Sequence, residues 1–465
     1  MKTEVTFQIS NFKQNMITRI EINGFKTFHD FKLDLSPFQV IVGPNGAGKS
    51  NLFDALRMLS SLTDSDLRTA FHDLRGEAGE LFSMFPDGRS SDRMQLAVEM
   101  LVERQAQDNW GAEADLKHTR LRYELEIARR SDKRGIERLY VDKESLLPIR
   151  QEDDAWIKRY NLSQKNRMPN LTEERNEPFI STFRKGKTKG IKLHTDGREG
   201  KRVIVAERVK RTVLSGINNV EFPHAFAAHE EMRSWKFLHI NPEVLRQPSS
   251  MLAQPFIDSD GSNLPTALAR MQSEDPFILN DVSRDLANLV PGVLKVDVEE
   301  ERSRDQYLVR IHTQDGCSFS SRVISDGTLR ALTLVSLKND PEHRGVLCFE
   351  EPENGVHPLR LRNLVGVLKE LSTDFSDPEQ TDEPLRQLLV NTHSPVLVAQ
   401  KEEVWPNILF AYMTTQVAVH GQPHRITRII PVESGVQTKL DLGIDEQEEK
   451  YTLDQVKHYI EQVKP

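Results

Sequence analysis

Cysteine is scarce in this 465-residue chain: Cys317 and Cys348 have 30 residues between them and belong to no CxxC or CxxH pattern, so neither a disulfide framework nor a zinc site is expected. Long apolar runs are missing too. Runs such as FQVIV at 38–42 and GVLCF at 345–349 fall far short of the ~20 residues of a membrane-spanning helix. The N-terminal stretch MKTEVTFQISNFKQNM has an early lysine but no apolar core, which argues against a secretory signal. No a/d heptad is sustained and no segment repeats, which argues against a long coiled-coil arm. The expectation is a reduced, cytoplasmic protein with no membrane segment.

Charge of one sign is not lacking overall but is unevenly spread. The net charge is −8, yet residues 117–211 hold 26 Lys+Arg against 15 Asp+Glu, which leaves the rest of the chain strongly acidic. A basic segment on an acidic body suits nucleic acid or an acidic protein. A solvated lid is the equally open alternative. The length allows two or three domains, or one core with a large insertion.

Hydrophobic spacing divides the chain further. ITRIEI (17–22) and DFKLDL (30–35) alternate like strands, and FQVIV runs into a glycine loop followed by Leu52, Phe53, Leu56 and Leu59 at helical spacing. From Met94 to about Leu147 period two returns, as in an antiparallel meander. A polar, basic stretch follows to about 235. Two helical segments (263–272 and 276–290) and three alternating ones precede a final third in which helix and strand alternate, the pattern of a layered α/β core. The expected organisation is therefore the first part of a core over 1–147, a basic insertion over 148–235, a helical segment over 236–300, the second part of the core over 301–440 and an acidic tail helix over 441–465.

Four motifs carry chemistry. Gly43-Pro44-Asn45-Gly46-Ala47-Gly48-Lys49-Ser50 satisfies GxxxxGK[ST] between a strand and a helix that opens with Asn51, the context this phosphate loop requires. Its glycines let backbone N–H groups face phosphate oxygens, Lys49 reaches the β- and γ-phosphates, and the Ser50 hydroxyl takes one position on Mg²⁺. The strand ending in Glu350-Glu351 offers a metal-side carboxylate, Glu350, and a base that orients water, Glu351, on the argument that successive strand side chains point oppositely. His393, 42 residues beyond Glu351 at the end of the next buried strand, is placed to sense a γ-phosphate. Ser325-Asp326-Gly327 opens a helix; alone it is an ordinary N-cap, but its position just before the two-glutamate strand marks it as a phosphate contact.

In that order these motifs resemble the ATP-binding-cassette class of P-loop ATPases, in the branch that includes the RecF, SMC, Rad50 and OLD proteins. The resemblance is closest to stand-alone bacterial RecF-like AAA ATPases, on GFKTFHDFKLDLSPFQVIVGPNGAGKSNLFDALRML, WKFLHINPEVLRQPS, ISDGTLRALTLVSL, CFEEPENGVHPLRL and NTHSPVLV. It implies an α/β fold with a mixed sheet, an antiparallel β meander and an inserted basic region, with ATP and Mg²⁺ as cofactors. It also implies that 43–50 form the Walker A loop, Glu350 and Glu351 the Walker B pair and His393 the switch histidine. Ser325, Asp326 and Gly327 would form a signature that completes the site of an opposite subunit, and Lys26 and Thr27 would contact nucleotide from the first strand turn. No Rad50-type hook is visible, and the 72 residues after His393 are too few for the Toprim domain of OLD nucleases.

The function so implied is a Mg²⁺-dependent ATPase whose ATP-driven dimers or higher oligomers couple to DNA or to a partner protein, in DNA repair or anti-phage defence. The alternative is a slow ATP-gated scaffold that holds and releases a separately encoded effector, a toxin or a nuclease.

Overall fold

The computed structural model describes residues 15–131, 135–150, 152–160, 177–185, 188–194, 201–205, 210–377, 384–394, 397, 407–417 and 423–432. The tail helix expected over 441–465 lies outside these residues, as do parts of the basic segment.

The first half is dominated by period-two strands. In chain order it comprises β1 (Met16–Asn23), β2 (Phe31–Asp34), β3 (Phe38–Val42), α1 (Lys49–Asp64), α2 (Leu67–His72) and β4 (Arg93–Leu101). The small ribbon β5 (Gln105–Gln107) and β6 (Glu113–Asp115) precedes the long hairpin β7 (Arg120–Ser131) and β8 (Glu137–Pro148). Then come α3 (Ala155–Tyr160), β9 (Ile180–Lys185), β10 (Thr188–His194), β11 (Lys201–Val205) and α4 (Pro223–Arg233). All but three of these strands join one eight-stranded antiparallel sheet, ordered β11-β10-β9-β8-β7-β4-β1-β2.

The boundary expected at 147 therefore falls inside a sheet, since Leu146 of β8 pairs with Ile180 of β9. The basic stretch reads as a loop because it is polar on average. Its few apolar residues, such as Ile191 and Leu193, nevertheless recur with period two and are fully buried, which suffices for one strand face. The base of this region is pinned by a buried ion pair: Arg120 Nε donates to Asp154 Oδ2 at 2.6 Å, and Asp154 caps α3 by accepting from Trp156 N and Ile157 N.

The second half begins with β12 (Lys236–Leu238), α5 (Pro242–Leu245), β13 (Ser249–Ser250), α6 (Leu264–Glu274) and α7 (Ile278–Leu289). A small antiparallel sheet follows from β14 (Val293–Glu301), β15 (Gln306–Thr313) and β16 (Ser318–Ser320), with β13 at its edge. Next are α8 (Asp326–Asn339), β17 (Gly345–Glu350), α9 (Leu361–Glu370), β18 (Arg386–Thr392), β19 (Ile408–Val417) and β20 (Pro423–Pro431).

The site is organised by a second sheet, ordered β12-β17-β18-β3-β19-β20, in which every pair is parallel except the last. β3 is buried along its whole length. Its alternate residues feed two cores: Ile41 faces the cluster built on the antiparallel sheet, α1 and α4, while Val40 and Val42 face the one built on α6 to α9. The sheet ends carrying residues 43, 351 and 393 thus come out side by side, with the β17–β18 and β18–β3 registers fixed by parallel pairing. This is the mixed α/β architecture expected from the sequence.

Candidate functional site

The chain leaves β3 at Val42 and must reverse over the sheet end to begin α1. Gly48 makes the last bend in the left-handed region at φ +88, and a Cβ there would collide with Thr427 Oγ1, so this position has no room for a side chain. Helix α1 starts without a side-chain cap, which leaves its first N–H groups available to an anion. Pro44 is partly covered, Asn45 and Gly46 form an exposed tip, and Ala47 is buried beneath them.

Lys49 is folded back into this loop. Its Nζ donates to Gly43 O at 2.8 Å and Pro44 O at 2.9 Å, and burial pushes the ammonium down to about 8 against the opposing pull of Glu351, Glu350 and Glu353. The loop is a preformed cradle whose one buried cation has only backbone oxygens as hydrogen-bond partners.

Thr27 borders the same loop: its Oγ1 lies 2.6 Å from Thr427 Oγ1 and accepts from Asn51 Nδ2 at 2.9 Å. Lys26, in the left-handed region at φ +47, is committed elsewhere, with Nζ donating to Asp54 Oδ2 at 2.7 Å and to Arg75 O at 3.1 Å. Of the two residues expected at the nucleotide, one touches the loop and the other braces the helix behind it.

Beyond the loop a hydroxyl, a carboxylate and a carboxamide converge. Ser50 Oγ donates to Glu350 Oε2 at 3.2 Å and accepts from Asn391 Nδ2 at 3.3 Å, while Glu350 and Asn391 face each other across the β17–β18 register. Asn391 Oδ1 is buried and has no protein partner among the described residues. A hydroxyl, a carboxylate and an amide oxygen form a hard donor set, suited to Mg²⁺ held jointly with phosphate oxygens.

Glu351 lies one residue past the strand, and its orientation is set by a turn and not by strand alternation. Its N–H donates to Asn391 O at 2.7 Å, its backbone then enters the left-handed region at φ +51, and its carboxylate accepts from Asn354 Nδ2 at 2.8 Å. The other oxygen, Oε1, meets His393 Nδ1 at 2.9 Å. Glu353, next in the turn, takes a hydrogen bond from the Thr392 hydroxyl, and burial raises its pKa.

The Ser325-Asp326-Gly327 turn is placed apart from this group. Ser325 caps α8 by accepting from Thr328 N at 3.3 Å, and Asp326 forms an ion pair with Arg246. Gly327 presses on the turn that follows Glu351 so closely that a Cβ would collide with Gly355 O. Within one chain the turn is therefore braced against the Glu351 loop, with its helix tip outside the phosphate cradle.

Sequence reasoning missed three participants. Asn391 was within reach, since it precedes His393 by two positions at the end of one strand, which places both on one side. Asp54 was too, one helical turn beyond Ser50. Arg75 gave no local signal; its Nη2 reaches Ser50 O at 3.4 Å and Asp54 Oδ2 at 3.1 Å from 25 residues away.

The basic segment is less free than its composition suggests. Lys189 and Arg130 both pair with Asp142, and Arg122 is held by Glu21, Glu99 and Glu124. Arg184 is exposed, and Lys187 lies outside the described residues. Among the described residues no helix is long and apolar enough to cross a membrane.

Comparison with known proteins gives three findings. The family model described as "AAA domain, putative AbiEii toxin, Type IV TA system" matches residues 38–399. Structural maintenance of chromosomes protein 1 of Schizosaccharomyces pombe is 39% identical over 56 residues, a match covering 11% of this chain and 4% of that protein's length. Among solved structures, the chain is similar to an Smc head bound to the C-winged helix domain of ScpA (TM-score 0.46, 14% identity, 90% of this chain and 98% of that one). It is also similar to the SMC head domain from Thermotoga maritima (TM-score 0.36, 12% identity, 90% and 100%).

Proposed function

The chain belongs to that AAA-domain family, whose model spans most of its length, and on this premise we propose that it is a Mg²⁺-dependent ATPase whose nucleotide state controls assembly with a second copy and with a DNA or protein partner. The observation that carries the reading is the convergence of Ser50, Glu350 and Asn391 beside Lys49, with Glu351 and His393 at the mouth of the same site.

Each residue has a task that follows from its setting. Lys49 exchanges its two backbone carbonyls for phosphate oxygens, which are stronger partners for an ammonium. The free N–H groups at the start of α1 take the remaining phosphate charge. Ser50, Glu350 and Asn391 would hold Mg²⁺, which supplies charge neutralisation to the leaving diphosphate. Glu351, fixed by Asn354, orients the attacking water and accepts its proton. His393 moves from Glu351 to the γ-phosphate when that group is present, so hydrolysis frees it to return. Ser325 and Gly327, outside the cradle of their own chain, would complete the site of a second copy.

The partner reading divides on the basic segment. With Lys189, Arg130 and Arg122 already paired to acids, a separately encoded protein held by a slow ATPase gains weight against DNA. Purified protein with ATP and Mg²⁺ should release phosphate and roughly double in mass by light scattering, and Lys49→Ala should abolish both. If DNA is the partner, its affinity should fall steeply with salt and be lost on charge reversal at Arg184, Lys185, Lys187 and Lys189. Absence of ATP binding by the folded wild-type chain would end the reading.

A further inference from the structure

A cleft of about 930 Å³ opens between α1 and the free edge of β12. Arg57, Arg75, Arg233 and Lys236 line it beside Phe237, and Glu350 marks where it meets the metal-binding oxygens. The loop 43–50 does not line it, so it is a second space and not the phosphate cradle.

Its cations share their acids instead of holding one each. The buried Asp54 serves three at once: Lys26 at 2.7 Å, Arg75 at 3.1 Å and Arg57 at 3.9 Å. Two of these positive charges have no acid of their own. Arg233 pairs with Glu230 at 3.1 Å and with Asp64 at 3.8 Å, and Asp258 accepts from the Ser259 N–H of its own loop at 2.7 Å. Lys236 is half-buried and has no hydrogen bond or ion pair among the described residues; burial depresses its pKa against the opposing pull of Asp340 and Asp258. An ammonium partly withdrawn from water and held by no direct contact carries a desolvation cost, and an anion in the cleft would relieve it.

The kind of anion follows from the geometry of the donors. Guanidinium forks match phosphate oxygens in pairs. The Arg57 guanidinium already lies over the Phe237 ring at 5.2 Å, so a planar base has a stacking surface of aromatic and guanidinium character beside the charges. A carboxylate peptide would use the charges but not that surface. The space is at the upper end of small-molecule sites and can hold more than one nucleotide unit.

We propose that this cleft is a second anion site, for nucleotide phosphates presented either by a free dinucleotide or by the end of a single nucleic-acid strand. It goes beyond the ATPase reading and does not depend on hydrolysis.

The test uses the full chain carrying Lys49→Ala, so that the phosphate loop does not compete. Fluorescence anisotropy follows a dye-labelled 5′-phosphorylated dinucleotide and a dye-labelled short DNA single strand, at low and at physiological salt. At least one probe should saturate; which one does tells the free nucleotide from the strand end. Adding Arg233→Glu with Lys236→Gln should weaken that binding about tenfold or more and flatten its salt dependence. Arg302→Glu with Arg304→Gln, exposed on the small sheet, should change nothing. In the wild-type background the cleft substitutions should leave trinitrophenyl-ATP binding intact, which separates failure of this site from failure of the ATPase reading. If the double variant does not fold, Arg57→Gln provides the same comparison. The proposal is overturned if neither probe saturates, if binding survives the cleft substitutions, or if only a polyglutamate peptide binds in a cleft-dependent way.

Discussion

Glu351 and His393, 42 residues apart in sequence, meet side chain to side chain with Oε1 2.9 Å from Nδ1, each partly open to solvent. A carboxylate so placed can exchange its histidine for a water without rebuilding the turn. Glu351→Gln should keep ATP affinity within about threefold, lower phosphate release by about 100-fold or more and accumulate the closed assembly. Single-turnover hydrolysis and light scattering read both effects; a parental rate would remove Glu351 from its role. His393→Ala should lower the rate less, because it removes the reporter of the γ-phosphate and leaves the base.

The cluster of Ser50, Glu350 and Asn391 predicts a metal phenotype separate from nucleotide binding. Ser50→Ala and Asn391→Ala each take one oxygen from the set, so the Mg²⁺ concentration giving half-maximal hydrolysis should rise by about tenfold for either. Binding of trinitrophenyl-ATP without added metal should be nearly unchanged. An Asn391→Ala enzyme with the parental Mg²⁺ dependence would leave Ser50 and Glu350 as the only protein ligands among these three.

Much of this site was legible before folding, for a physical reason. A phosphate loop needs its strand, glycines and helix contiguous in the chain, so residues 43–51 announce themselves, and a buried strand that ends in acids or a histidine shows where its polar tip must emerge. Arg75 and Thr427 were not legible because their positions depend on how distant segments pack around α1. Nor was the fate of the basic segment: whether Lys189 faces solvent or Asp142 is decided by cross-strand neighbours, which composition does not encode. The orientation of Glu351 was misjudged because the strand stops at Glu350 and does not include Glu351, where a left-handed turn takes over.

Gly327 offers a test of the contact between the signature turn and the Glu351 loop. Gly327→Ala forces a methyl group against Gly355 O, a backbone atom that cannot simply rotate aside. The two turns must separate, so ATP binding should persist while hydrolysis and ATP-driven assembly fall at least tenfold, with a loss of stability of about 1–3 kcal/mol. Thermal melts with and without ATP, beside phosphate release, distinguish this from general unfolding.

The Arg120–Asp154 pair should behave unlike the ion pairs on the sheet surface. Both side chains are fully buried, Arg120 also donates to Thr18 Oγ1 at 2.9 Å, and Asp154 caps α3. Asp154→Ala strands a guanidinium in the core and should cost about 3–5 kcal/mol. Lys143→Ala, which breaks a half-exposed pair with Glu124, should cost less than about 1 kcal/mol. Urea midpoints of the two variants check the contrast, and equal losses would place Arg120 in contact with water.

Stability should also fall with rising pH through a buried carboxyl on α4. Glu231 accepts from Trp235 Nε1 at 3.0 Å, but its Oε2 has no partner among the described residues, and burial pushes its pKa up to about 8. The unfolded chain ionises this group near 4.5, so between that pH and about 8 the folded state holds the extra proton and loses stability as pH climbs. Glu231→Gln keeps the acceptor for Trp235 and removes the titration. Its melting temperature should match the parent at the acidic end of that window, exceed it increasingly up to about pH 8 and keep a constant lead above that, at roughly 1 °C per kcal/mol for a chain of this size. A variant that is less stable than the parent at alkaline pH would mean that the carboxylate has a cation or a water network at Oε2, and that its charge is stabilised instead of strained.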